Sequence, residues 1–170
     1  MADGACFNRP DLAEMHFAEA MRMFAASVCV ISAESGGVRA AVAASSVATL
    51  SIAPRGILIS VDERAPALRS LIRSGKFCIN ILGAEHADVD AFCAALNDPV
   101  CSYDGDWRGG PFEIPYLYGA QANLFCYLMG HAFVGVNGLI VGHAFHALSA
   151  DVPAPLIRFA GANWPLVSTP

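Results

Sequence analysis

Between Arg39 and Pro54 the chain reads R-A-A-V-A-A-S-S-V-A-T-L-S-I-A-P, with no charge from Ala40 to Pro54. Four hydroxyls, Ser45, Ser46, Thr49 and Ser51, fall within seven positions. Small side chains let a ligand come close to the backbone, and hydroxyls beside main-chain N–H groups can hold an anion. Taken alone, the stretch favours an Ala-rich buried strand pair whose hydroxyls bond to neighbouring carbonyls. Its flanks decide between the two readings.

With 170 residues the chain fits one domain, 1–170, with its core over about 14–165. Hydrophobic residues make up 55% and charged ones 15%. That is too apolar for disorder, and rich enough that a second copy is expected to cover part of the surface. A net charge of −5 without a basic cluster argues against nucleic acid as a partner. The start, Met1-Ala2-Asp3-Gly4-Ala5-Cys6, lacks the basic and apolar regions of a signal peptide. No uncharged apolar run is long enough for a membrane span. The six cysteines form no C-x-x-C pair, so reduced thiols in a cytoplasmic protein are expected.

In order, Asp11 can cap a helix from Leu12 to Phe24. Ser27 to Glu34 reads as a strand, and Gly36-Gly37 turns it into a second arm from Val38. Gly56 to Asp62 is nearly all apolar, the pattern of a strand buried on both faces. Pro66 opens a short helix that Ser74-Gly75 closes, and Lys76 to Leu82 is another strand. A helix is expected over Glu85–Leu96 and a long irregular excursion over Asn97–Pro115. Gln121–Phe133 and Leu139–Leu148 pair around Gly135-Val136-Asn137-Gly138, and Pro155–Phe159 is a last strand. Many strands with segregated helices predict a mainly β fold, an antiparallel barrel with a few helices packed outside it.

Several familiar motifs are not met. Ser74-Gly75-Lys76 lies between a helix and a strand, the reverse of a phosphate-binding P-loop. No G-x-S-x-G elbow exists, and Gly135, Gly138 and Gly142 do not form G-x-G-x-x-G. His143 and His146 would face opposite ways on a strand, so no metal is expected.

The order of pieces from Phe17 to Trp164 resembles the flavin reductase-like family, the FMN-binding split barrel found in reductase components of two-component monooxygenases. Phe17-Ala18-Glu19-Ala20-Met21 matches its F-x-x-A-M helix, and Ala25 to Ser32 matches A-x-x-V-x-V-(I/V)-(S/T). The run Ala43 to Pro54 is similar to the flavin loop T-A-(S/T)-S-x-x-S-x-S-x-x-P. Ser74 to Leu82 matches S-G-x-F-x-(V/I)-N-x-L in full.

This resemblance implies a split barrel and a homodimer that uses NADH or NADPH to reduce FMN, with FAD as the alternative flavin. Reduced flavin would pass to an oxygenase partner. Ala43, Ala44, Ser45 and Ser46 would line the isoalloxazine and ribityl chain, Thr49 and Ser51 the phosphate end. Asn80 would border the site, with Arg64 or Arg39 supplying the cation. Three departures stand out. Ala43 replaces the usual Thr. Asp62-Glu63-Arg64-Ala65-Pro66-Ala67 has two acids where the family carries hydroxyls. The Gly-Asp-His motif of the late hairpin becomes Gly135-Val136-Asn137, leaving Asn137 as the candidate for the nicotinamide carboxamide. The alternative that these departures favour is an FMN-binding split barrel without nicotinamide turnover.

Overall fold

The computed structural model describes residues 12–89, 93, 107–151 and 154–166. Its strands are β1 (Ala26–Ser27), β2 (Cys29–Ser35), β3 (Val38–Ala44), β4 (Val47–Ser51), β5 (Gly56–Asp62) and β6 (Lys76–Ile81). They continue with β7 (Trp107–Gly109), β8 (Pro115–Leu117), β9 (Ala122–Val134), β10 (Asn137–Ser149), β11 (Leu156–Phe159) and β12 (Ala162–Pro165). Two α-helices accompany them, α1 (Leu12–Met21) and α2 (Pro66–Ser74).

Seven strands form one sheet in the order β3-β2-β6-β9-β10-β5-β4, and each pairing within it is antiparallel. The two edge strands, β3 and β4, are consecutive in sequence and separated only by Ser45 and Ser46. Successive Cα atoms are 3.8 Å apart, so the link from Ala44 to Val47 spans at most about 11 Å. The sheet must therefore curl until its edges nearly meet. Among the described residues no ladder joins β3 to β4, so the barrel stays split, and Ser45-Ser46 crosses the split.

The interior is apolar. Ile31, Ile59, Phe77, Ile79 and Ile140 line it, and α2 inserts Leu68 and Leu71 among them. Pro66 occupies the first turn of α2, where its missing N–H costs nothing. Gly75, at φ 66°, ends it by donating its N–H to the Leu71 carbonyl. On the other side of β6, Asn80 is fully buried. Its Nδ2 donates to the Val30 carbonyl at 2.8 Å and to Ser32 Oγ at 2.9 Å. Its Oδ1 accepts from the Leu117 N–H at 2.8 Å and Asn123 Nδ2 at 2.9 Å. This network fastens β8 to the barrel wall.

Several expectations need correction. Helix α1 stops at Met21 rather than Phe24, because Met23 and Phe24 donate to Ala20 and Met21 in tighter turns. None of its residues is buried, and Asp11 lies outside the described residues. Ala84–His86 forms a 3-10 turn where the α-helix was to begin; Val89 and Cys93 are helical, and the other positions to Leu96 lie outside the described residues. Within Asn97–Pro115, residues 107–115 are ordered by the β7–β8 pairing instead of being irregular. A bulge at Phe145 sets His143 opposite Tyr127 and His146 opposite Phe125, residues of one parity on β9. The two histidines therefore do not take opposite faces, and the described residues hold no group of three metal-ligating side chains. Finally, β12 and a three-stranded sheet, β1-β11-β12, were not anticipated.

Candidate functional site

Two clefts adjoin this part of the chain, one lined by β3 and the other by the serine link. One, of about 450 Å³, has Ala41, Val42 and Ala43 of β3 on one wall. Asp62, Arg64, Ala65, Pro66 and Cys93 complete it. As an edge strand, β3 directs every second backbone N–H and C=O away from β2. Of its alanines, Ala43 is the exposed one.

The cation of this cleft is already engaged. Arg64 Nη2 donates to Asp62 Oδ2 at 2.6 Å, its Nε to Oδ1 at 3.0 Å, and its backbone N–H to Oδ1 at 2.8 Å. Those bonds hold the Asp62 carboxyl down from 3.8 to about 2. Asn137 stands at the same corner, opposite Asp62 in the β10–β5 ladder. The Glu63 N–H donates to the Val136 carbonyl at 2.9 Å, docking the altered hairpin turn on the acidic segment.

The other cleft, of about 560 Å³, is lined by Ser45 and Ser46. Its walls come from α1 and the residues after it, including Ala18, Met21, Arg22 and Phe24, and from the β11–β12 hairpin at Arg158–Gly161. Ala160, at φ 51°, donates its N–H to the Arg22 carbonyl at 2.8 Å and so ties the two walls together.

The candidate residues are thus distributed. Ala43 and Arg64 share the first cleft, with Asn137 beside it; Ser45 and Ser46 line the second. Ala44 ends β3 opposite Cys29, between the two. Thr49 and Ser51 lie on β4 opposite Ile57 and Gly56 and line neither cleft. Asn80 is not brought to the loop, because its amide is committed to the core. Arg39 is paired with Glu34 at 3.3 Å toward the far end of the hairpin. Sequence reading overlooked Arg22 and Arg158. Arg22 sits just past the F-x-x-A-M helix and Arg158 just before the turn at Ala160-Gly161, and only the fold brings them together.

A nucleophile is not evident in the neighbouring wall. Burial pushes the Cys29 thiol up to about 12. What the geometry offers is small-residue backbone, two hydroxyls and cations, which suits a planar ligand with polar edges and an anionic tail.

The model of the flavin reductase like domain matches residues 21–162. The chain belongs to that family. Its relatives include the FMN reductase (NADH) RutF of Methylorubrum extorquens (strain DM4), 30% identical over 146 residues, or 85% of this chain and 70% of the relative. The 4-hydroxyphenylacetate 3-monooxygenase reductase component of Pseudomonas aeruginosa is 27% identical over 111 residues, covering 64% of this chain and 65% of its own. Among solved structures, the flavin reductase PheA2 superposes with a TM-score of 0.79 at 26% identity, over 91% of this chain and 99% of that one. The split-barrel fold expected from the sequence is therefore the family's fold, and the serine link of this member occupies the split.

Proposed function

We propose that the chain, as one flavin reductase-like unit over 1–170, reduces FMN with NADH and delivers the reduced flavin to a partner monooxygenase in the cytoplasm. The observation that carries this reading is the small-residue edge of β3 running into Ser45-Ser46 at the split, with one cleft lined by Ala41–Ala43 and another by the two serines. The relatives named above as an NADH-dependent FMN reductase and a monooxygenase reductase component support it. No helix among the described residues is long and apolar enough to cross a membrane.

The residues present fit a flavin. Its ring needs N–H donors along one polar edge, and β3 at the exposed Ala43 offers backbone with no large side chain in the way. When bound, the flavin supplies the hydride-accepting chemistry. Ala43 and Ala44 leave room for the ring, and Ser45 and Ser46 hold its ribityl chain. Asn137 orients the nicotinamide carboxamide from the corner it shares with Asp62. Transfer of a hydride asks no proton donor of the chain, so its task is alignment and exclusion of water.

A homodimer belongs to the same reading. Leu12, Met15, Phe17 and Met21 of α1 are all exposed, as are Leu50 on β4 and Ile52 beyond it. A ten-residue helix with no buried face is not stable on its own, and a second copy would cover it.

The test is to add FMN or FAD with NADH or NADPH to the purified protein and follow loss of the reduced-nicotinamide absorbance. Prompt oxidation with FMN and NADH is expected. Flavin binding without oxidation would establish the second reading, a binding protein, which the replacement of Asp-His by Val136-Asn137 favours.

A further inference from the structure

We propose that the turn at Pro111–Glu113, between β7 and β8, is a strained strap that the Phe112 ring holds closed, and that it opens to uncover the stacked rings of Tyr127 and Phe145. The strap stands apart from the proposed reductase reading and does not depend on it.

The strain lies in the backbone. The Glu113 N–H donates to the Gly110 carbonyl at 3.0 Å and the Ile114 N–H to the Pro111 carbonyl at 3.2 Å, so two tight turns overlap. Phe112 and Glu113 are the central pair of the second turn, and both are left-handed, at φ 57° and 58°. Such a turn ordinarily takes Asn-Gly or Asp-Gly, because a left-handed residue brings its Cβ against the following carbonyl oxygen. Here the two positions hold a bulky aromatic and a Glu, while the neighbouring Gly110 takes ordinary extended backbone at φ −95°.

Ring contacts hold the turn shut. Tyr127 on β9 and Phe145 on β10 stack with their centroids 4.3 Å apart. Phe112 meets Phe145 edge-on at 5.7 Å and tilts against Tyr127 at 6.2 Å. Lys76 Nζ lies over the Phe112 ring, 4.5 Å from its centroid. Each of these contacts is worth about as much as one left-handed residue costs. The Phe112 ring nevertheless stays 62% exposed, so no core burial adds to its side of the balance. Strain and clasp are therefore closely matched, which is the condition for two populated states.

The flanks confine the movement to the tip. No Cβ fits at Gly110 beside the buried Phe125 ring, and Ile114 is buried with Cys78 and Phe125. Ser32 donates to the Pro115 carbonyl at 2.6 Å, and Trp107 and Leu117, opposite one another in the hairpin, are both buried. Beneath the tip lies a cavity of about 100 Å³ lined by Phe112, Ile114, Glu34, Ser74 and Lys76. Rotation of Phe112 outward would open that cavity and bare the edge of the stacked pair.

The test follows the turn in the full chain by NMR and thermal unfolding. Relaxation dispersion should show microsecond-to-millisecond exchange at the Phe112, Glu113 and Ile114 amides and none at Leu117, whose N–H is held by Asn80. Phe112→Ala removes the clasp and should speed hydrogen exchange of the Glu113 and Ile114 amides about tenfold or more, with Leu117 unchanged. Glu113→Gly relieves the strain and should raise the melting temperature by a few degrees and damp the dispersion. Glu113→Ala removes the same carboxylate and keeps the strained φ, so it should do neither. A turn without dispersion in the unaltered chain would overturn the proposal. So would equal melting temperatures for the Gly and Ala variants, which would show that no strain is stored. Unchanged amide protection in Phe112→Ala would show that the ring is not the clasp.

Discussion

Asn123 on β9 donates its side-chain amide to Oδ1 of Asn80 at 2.9 Å, directly across the β6–β9 ladder. The same Nδ2 reaches the Leu117 carbonyl at 3.0 Å, while Leu117 returns its N–H to Asn80. Two buried amides thus satisfy one another and clamp a short strand onto the barrel. Ser32 extends the network by donating to the Pro115 carbonyl at 2.6 Å.

Replacing Asn80 with Ala leaves the Leu117 N–H and one Asn123 proton short of a partner in the core. A buried group deprived of its bond costs about 1–3 kcal/mol, so a loss of roughly 3 kcal/mol is expected for the variant. Urea unfolding measures it. A change below about 0.5 kcal/mol would show that the clamp contributes nothing.

The Asp62–Arg64 pair predicts a pH response of known sign. The Asp62 carboxyl is held at about 2 in the folded chain against an ordinary 3.8. Its contribution to stability is complete above the ordinary value and disappears as pH falls through about 2. Carbon-detected NMR of the Asp62 carboxyl should give that low midpoint, and Arg64→Gln should return it toward 3.8.

Asn137→Ala tests the corner where the late hairpin meets β5. If its amide orients the nicotinamide, the variant should raise the Michaelis constant for NADH and lower turnover, each by several-fold, with FMN affinity unchanged. Identical kinetics in variant and parent would remove Asn137 from the site.

Gly142 lies against the core, and an added Cβ would come 2.6 Å from Cζ of buried Phe77. Overpacking of this kind costs about 1–3 kcal/mol, so Gly142→Ala should lower the melting temperature measurably. Thermal denaturation monitored by circular dichroism decides it.

Burial pushes the thiols of Cys29 and Cys126 up to about 12, and raises that of Cys78 well above its usual value, with neighbouring Cys126 adding to the effect. Iodoacetamide reacts with thiolate, so these three should remain unlabelled in the native protein at pH 8 and react on unfolding. Peptide mass mapping would show the protection.

Much of this architecture is legible in the sequence. Gly36-Gly37, at φ 62° and 78°, marks the β2–β3 turn, and Pro66 with Gly75 brackets α2. These are local signals, written in residues that set their own backbone. The direction of Asn80 is different, because it depends on β8 arriving from a distant part of the chain. So does the presence of Arg22 and Arg158 in one cleft, since they share no periodicity or spacing. The apolar positions of α1 are exposed, and no described element buries them. Pattern alone does not say whether the covering surface lies within the same chain.

The β1–β11 pairing, Ala26 opposite Arg158, has one more consequence. During synthesis, α1 and the serine link leave the ribosome long before the strand that carries Arg158. The seven strands of the large sheet, all within β2 to β10, can pair without it, but the second cleft has no opposite wall until β11 and β12 arrive. A chain stalled or cut before β11 would therefore hold the paired strands of the large sheet and only one wall of the second cleft.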